Sequence, residues 1–193
     1  AKKGRLIPVY CEVLADMETP VSAFKKVDSG EYTFLFESVE GSEKWGRYSF
    51  IGIGSRVVFR SKSDNIEIIE GVKGISKKGD PLSLLQEILA GFTPVEVMGL
   101  PRFYGGAVGY IGYDMVRFFE YLPDASKRDV DIYDAVFLIT ESLLIFDNLE
   151  QKIKVVYNAV IDDEPEKIYK EAVEKIDEII DRLKSPASKT SQE

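Results

Sequence analysis

Two long apolar runs, residues 135–146 and 152–161, are separated only by a short connection that holds Asn148-Leu149-Glu150-Gln151. Strong strands at that spacing predict a hairpin. Further strands are expected before it. Residues 5–14 carry Leu6, Ile7, Val9, Tyr10, Val13 and Leu14. Tyr32-Thr33-Phe34-Leu35-Phe36 is a β-branched and aromatic run that reads as a core strand. Strand character returns at 48–60 and at Ile66-Glu67-Ile68-Ile69. Residues 103–113, rich in glycine and aromatics, read as extended.

Helices punctuate these strands without alternating with them. Thr19-Pro20 is a start signal, with Thr as N-cap and Pro at the first helical position. Val21, Phe24 and Val27 then share one face. Asp80-Pro81 repeats the signal ahead of Leu84, Leu85, Ile88 and Leu89, and Gly91 ends that helix. Asp163-Glu164-Pro165-Glu166 resembles a capping box with Asp163 as N-cap. After it, Ile168, Ala172, Val173, Ile176, Ile179, Ile180 and Leu183 recur every three or four residues. That stripe is expected to pack on the sheet or to lead the chain into a further domain. The fold class is α+β: a mainly antiparallel β-sheet or sandwich with a few flanking helices. One domain is expected over residues 1–184, with 185–193 as a linker or frayed tail.

Composition narrows function. The chain has 193 residues, a net charge of −8 and no histidine. An acidic protein lacks the basic face that nucleic acid requires. Without histidine, neither a Ser-His triad nor a histidine metal site can form. No stretch reaches the ~18 apolar residues of a membrane span, and no apolar run follows the basic start, so no signal peptide is expected. The single cysteine, Cys11, reads as a partly buried strand residue, and a cytoplasmic location is the simplest reading. Abundant Lys and Glu beside only three Gln and three Asn lean thermophilic.

Gly105, Gly106, Gly109 and Gly112 do not have G-x-G-x-x-G spacing, and no Gly-Lys-Ser/Thr follows. They read as strand glycines where another backbone comes close and where Tyr104, Tyr110 and Tyr113 need room. Among the acids Glu37, Glu40, Glu43, Asp114 and Glu120, no spacing forces a shared catalytic site, and a solvated or ion-paired role is the expectation. Glu37 differs, because it closes an apolar strand beside Ser38 at the edge of a polar loop, where polar groups can converge on a ligand. An amino-acid ligand needs an acceptor for its ammonium, a donor for its carboxylate and an apolar slot for its side chain. Segment 35–50 holds all three kinds: Glu37 and Ser38 to accept, Arg47 to donate, and Leu35, Tyr48 and Phe50 to line a slot. Trp45 is expected to pack in the loop, and Ser49 to bond its own strand.

Three strings, Leu35-Phe36-Glu37-Ser38, Arg47-Tyr48-Ser49-Phe50-Ile51-Gly52 and the Phe103–Asp114 stretch holding Gly105-Gly106-Ala107-Val108-Gly109-Tyr110, occur in the order and spacing of one family. The chain resembles the amino-terminal part of anthranilate synthase component I over about residues 6–184. Phe36 stands where the family has a second leucine. The resemblance implies an L-tryptophan feedback site carried by Ser38, Glu37, Arg47, Tyr48 and Leu35. It implies no catalytic residue and no metal ligand here. The chorismate and Mg2+ sites belong to a carboxy-terminal domain, as does an Asn-Pro-Ser-Pro-Tyr-Met segment that this sequence lacks. The implied partners are that domain and a glutamine amidotransferase subunit (component II), with no nucleic acid or membrane. By itself the chain is expected to be a catalytically silent fragment or separately produced domain. The alternatives are the amino-terminal part of aminodeoxychorismate synthase component I, or a non-enzymatic amino-acid-sensing or assembly module.

Overall fold

The computed structural model describes residues 4–37, 46–122, 130–161 and 164–186. Among these residues nine strands form one open sheet: β1 (Gly4–Leu14), β2 (Phe34–Phe36), β3 (Tyr48–Lys62), β4 (Asn65–Glu70), β5 (Lys73–Lys78), β6 (Phe92–Pro94), β7 (Ala107–Ile111), β8 (Ala135–Asp147) and β9 (Lys152–Ile161). The α-helices of the described residues, α1 (Pro20–Val27), α2 (Pro81–Ala90) and α3 (Pro165–Lys184), flank it. The expected α+β class holds, realised as a single sheet. Its order is β5-β4-β3-β8-β9-β1-β6, with β2 paired to β3 and β7 paired to β8. Every pairing is antiparallel except β1 with β6.

The two longest strands organise the rest. The predicted hairpin is β8–β9, in register from Ser142–Tyr157 to Asp147–Lys152. On its far side β8 pairs with β3 along nearly its whole length. The sheet forks at Thr140. Below it, β8 residues 135–139 pair with β7, and above it residues 142–147 pair with β9. Thr140 ties the fork to the incoming chain, its N–H donating to Gly106 O and its Oγ1 accepting from Gly106 N.

A β-bulge in β3 between Ser55 and Val57 reverses which residues face which layer. Ahead of it, Ile51 and Ile53 pack with Leu144, Phe146 and Val155 beneath α1 and α3. Beyond it, Val57 and Phe59 pack with Ile139 beneath Leu85 of α2. On that same face, Leu143, Ile145 and Val156 are covered by Tyr10, Phe103 and Tyr104.

The bulged residue, Arg56, closes the fork. The β8–β9 ladder ends at Tyr157, so Asn158 O on the next residue has no partner on β8. Arg56 Nη2 donates to it at 3.0 Å and lies 3.4 Å from Glu141 Oε1, which also accepts from Tyr157 OH. Replacing Arg56 by Met strands a backbone carbonyl. It should lower stability by about 1–2 kcal/mol, read as a shift in urea midpoint at unchanged m-value.

Helix starts follow their signals. Thr19 and Ser22 form a reciprocal capping box, and Asp80 Oδ1 accepts from Leu82 N. Along α3 the buried stripe is Ala172, Ile176, Ile179 and Leu183. The two helices of this layer are tied at their ends, where Lys26 Nζ donates to Leu183 O and Arg182 Nη2 donates to Val27 O.

Several expectations need correction. α3 begins with Glu164 at the N-cap and no side-chain cap bond; the expected cap, Asp163, lies outside the described residues. Val21 is exposed, because Ala23 and Val27 are the α1 positions that meet the sheet. Tyr32 has φ +54° and precedes β2, which is only three residues long. Cys11 is exposed rather than partly buried. Past Leu6, β1 has no β6 partner and runs as a sheet edge. The stretch read as extended over 103–113 is strand only at β7, and Tyr113–Phe118 forms a 3-10 turn.

Candidate functional site

β2 is short but closely seated. It pairs Phe34 with Gly52, Leu35 with Ile51 and Phe36 with Phe50. The Phe34 ring occupies the space a side chain at position 52 would need, 2.0 Å from a Cβ built there. That contact is why the Arg-Tyr-Ser-Phe-Ile-Gly string ends in glycine. Strand alternation then divides the candidate residues between the two faces. Leu35 enters the core beneath α1 and α3, whereas Tyr48 and Phe50 pack on the opposite face. The slot expected from Leu35, Tyr48 and Phe50 together therefore does not form on one side.

An apolar groove of about 410 Å3 lies on the Phe50 face instead, lined by Phe36, Phe50, Phe103, Ala107, Gly109 and Phe137. Phe36 is half exposed at its mouth, and the Phe50 and Phe103 rings meet edge to face at 5.2 Å. Glu37, the residue after Phe36, is exposed. Ser38 and Trp45 lie outside the described residues, as do Glu40 and Glu43.

Arg47 sits just ahead of β3 and is held from one side. Its Nε donates to both oxygens of Asp147 at 3.0 and 3.1 Å, and its Nη2 donates to Asp147 Oδ2 at 2.6 Å and to Glu150 Oε1 at 3.1 Å. The guanidinium carbon lies 5.0 Å from the centre of the Tyr48 ring. Asp147, at the end of β8, is 1% exposed. Burial alone would raise its carboxyl pKa, but the Arg47 bonds and the N–H groups of Glu150 and Leu149 outweigh burial and hold it below the usual carboxylate value. The same bonds push the Arg47 guanidinium up.

The sequence reading missed Asp147 and Glu150. The available signal was an acid that ends the apolar run 135–146 immediately before its turn: a carboxylate at such a place needs a partner. Ser49, expected to bond its strand, is buried without a hydrogen-bond partner among the described residues. Asp114 pairs with Arg117 at 3.0 Å in the 3-10 turn, in keeping with an ion-paired role. Among the described residues, no group of three Cys, Asp or Glu side chains is placed to hold a metal ion. No described helix is long and apolar enough to cross a membrane.

The architecture defines an α+β domain whose open sheet carries an aromatic groove on one face and, just ahead of β3, an arginine held by Asp147. No protein-family model matches the chain. Individual proteins do. It is 41% identical over 178 residues to anthranilate synthase component 1 of Acetivibrio thermocellus, covering 91% of this chain and 36% of that protein. It is 41% identical over 181 residues to the protein of that name from Aquifex aeolicus, covering 93% and 37%. With the Pseudomonas aeruginosa protein of that name, identity is 38% over 184 residues. The crystal structure of anthranilate synthase component I from Streptococcus pneumoniae TIGR4 superposes with a TM-score of 0.62 at 22% identity, covering 91% of this chain and 37% of that one, a likeness of fold. The chain belongs to the anthranilate synthase component I family and corresponds to its amino-terminal part. It spans little more than a third of the length of the relatives it matches.

Proposed function

We propose that this chain is the amino-terminal regulatory part of an enzyme that converts chorismate and ammonia to anthranilate, and that it contributes the site through which L-tryptophan inhibits that reaction. The observation that supports the reading is an exposed acid, Glu37, that directly follows the groove-lining Phe36 where β2 pairs with β3. Glu37 offers a carboxylate to an ammonium group, and the groove between Phe36, Phe50 and Phe103 offers an apolar slot to an indole. Arg47 and Tyr48 border the same strand end. Ser38 and Leu35 complete the set that the family strings define. In this reading Ser38 adds a hydroxyl, and Leu35 anchors the strand from below through the core.

The chemistry on chorismate, with its Mg2+, belongs to the rest of the polypeptide, and the ammonia comes from a glutamine amidotransferase subunit. Tryptophan inhibits because it binds one arrangement of the two parts more tightly than the other and so moves the population toward it. The names of the relatives favour this branch over the aminodeoxychorismate one.

In the full-length enzyme, Glu37→Gln and Ser38→Ala should each raise the tryptophan concentration for half-inhibition by about tenfold, equivalent to the loss of one charge-assisted contact. Turnover without tryptophan is the internal reference. Unchanged inhibition in both variants rejects the site.

A further inference from the structure

We infer that Asp147 is a positioning residue for effector binding: acting through Arg47, it sets the geometry of the strand end that takes tryptophan. The inference rests on the regulatory reading above and adds to it a residue that never touches the ligand.

The β8–β9 turn grips residues 46–48 from end to end. Asp147 takes two bonds from Arg47 Nε and one from Nη2, while its Oδ1 also accepts from the N–H groups of Leu149 and Glu150, each at 3.2 Å. Asn148 N donates to Arg47 O at 2.9 Å, and Asn148 Nδ2 donates to Gly46 O at 3.2 Å. Tyr48 is the register partner of Asp147 and lies against the Arg47 guanidinium. Glu150, the outer acid, holds Arg47 from one oxygen and Lys152 from the other.

This arrangement determines what Arg47 can do. Its Nε and Nη2 edge is committed to acids of the turn, so the guanidinium is not a free, swinging donor. A side chain already fixed in one rotamer loses little freedom when ligand arrives, and affinity gains by that saving. Cutting the tether returns the ordering cost to the binding step. The buried acid, rather than the half-exposed Glu150, is the residue that fixes Arg47.

The test is calorimetric titration of L-tryptophan into the full-length enzyme, with steady-state kinetics on the same samples. Asp147→Asn keeps an acceptor for the turn N–H groups and removes the charge-paired fork. It should raise the tryptophan Kd about tenfold, equivalent to one lost charged bond, and leave kcat and KM for chorismate unchanged. Glu150→Gln should change Kd by less than about threefold, as befits a half-exposed pair. Arg47→Lys combined with Asp147→Asn should bind no more weakly than the worse single variant, because both break one unit. A purely structural role would lower the folded fraction without changing the Kd of the molecules that remain folded. Asn148→Ser, at an exposed turn position, removes the donor to Gly46 O; its threefold or greater loss of affinity decides the matter should Asp147→Asn not fold. A wild-type enzyme that binds and responds to tryptophan, with wild-type Kd in Asp147→Asn or, where that does not fold, in Asn148→Ser, overturns the positioning role alone. A wild type that neither binds tryptophan nor is inhibited by it overturns the regulatory reading and this one together.

Discussion

Gly109→Ala will detach β7 from the sheet. A Cβ built at Gly109 falls 1.8 Å from Val136 O and 2.8 Å from the Phe137 Cα. Both atoms are backbone, and both belong to β8, the central strand that also pairs with β3 and β9. No side-chain rotation can relieve the contact, and β8 cannot retreat without breaking its other ladders. β7 has five residues and, among the described residues, no other paired strand, so it is the element that gives way. The separation uncovers buried Val108 and the pairing of Ala107 with Ile139. A loss of about 3 kcal/mol or more is expected, the range of severe overpacking at a fixed site. Urea denaturation should show it as a large fall in midpoint or as failure to accumulate folded protein. A midpoint within experimental error of wild type would show that the two strands are not in such close contact.

Asp147→Ala should cost about as much, for an electrostatic reason. The substitution leaves the Arg47 guanidinium without its buried partner and the N–H groups of Leu149 and Glu150 without their acceptor. Removing this buried acceptor, which serves two backbone N–H groups and a partly exposed guanidinium that still keeps Glu150, costs about 2–3 kcal/mol. The cost has a pH signature. Asp147 has a depressed pKa in the folded chain, so its stabilisation is complete above the unfolded carboxylate value of about 3.9. It is lost as pH falls through the lower folded value, where the folded state must also take up the proton. The stability gap between wild type and Asp147→Ala should therefore be flat from neutral pH to about pH 4 and narrow below it. A gap that stays constant at lower pH would mean that the carboxylate charge contributes nothing.

The parts of this fold that can be read from the chain are those whose cause is local. The β8–β9 hairpin, the Thr19-Pro20 and Asp80-Pro81 helix starts and the apolar stripe of α3 each depend on residues within a few positions of one another. β5 escaped notice because Lys73-Gly74-Ile75-Ser76-Lys77-Lys78 has a single apolar residue and is fully exposed; it is a strand only because β4 supplies a ladder. β6 is three residues held by a parallel partner. The bulge at Arg56 leaves no local mark, yet it decides that Ile53 and Val57 face different layers.

The candidate site shows the same division. Its acid, its arginine and its aromatic residues are legible as types within segment 35–50. Their roles depend on partners far along the chain. Arg47 is fixed by Asp147, and the groove beside Phe36 and Phe50 is completed by Phe103 and Phe137. Alternation alone says that Leu35 and Phe36 point opposite ways. Only the sheet says which of them meets the core.

The central claim is that this part of the polypeptide carries the tryptophan response. Its most direct test is titration of L-tryptophan, followed by calorimetry, into the protein extended to the full length of its relatives, with Ser38→Ala and Glu37→Gln measured alongside. Wild type should give saturable heat, and each variant should bind about tenfold more weakly. Tight binding that both variants retain, or no binding by the wild type at all, would contradict it.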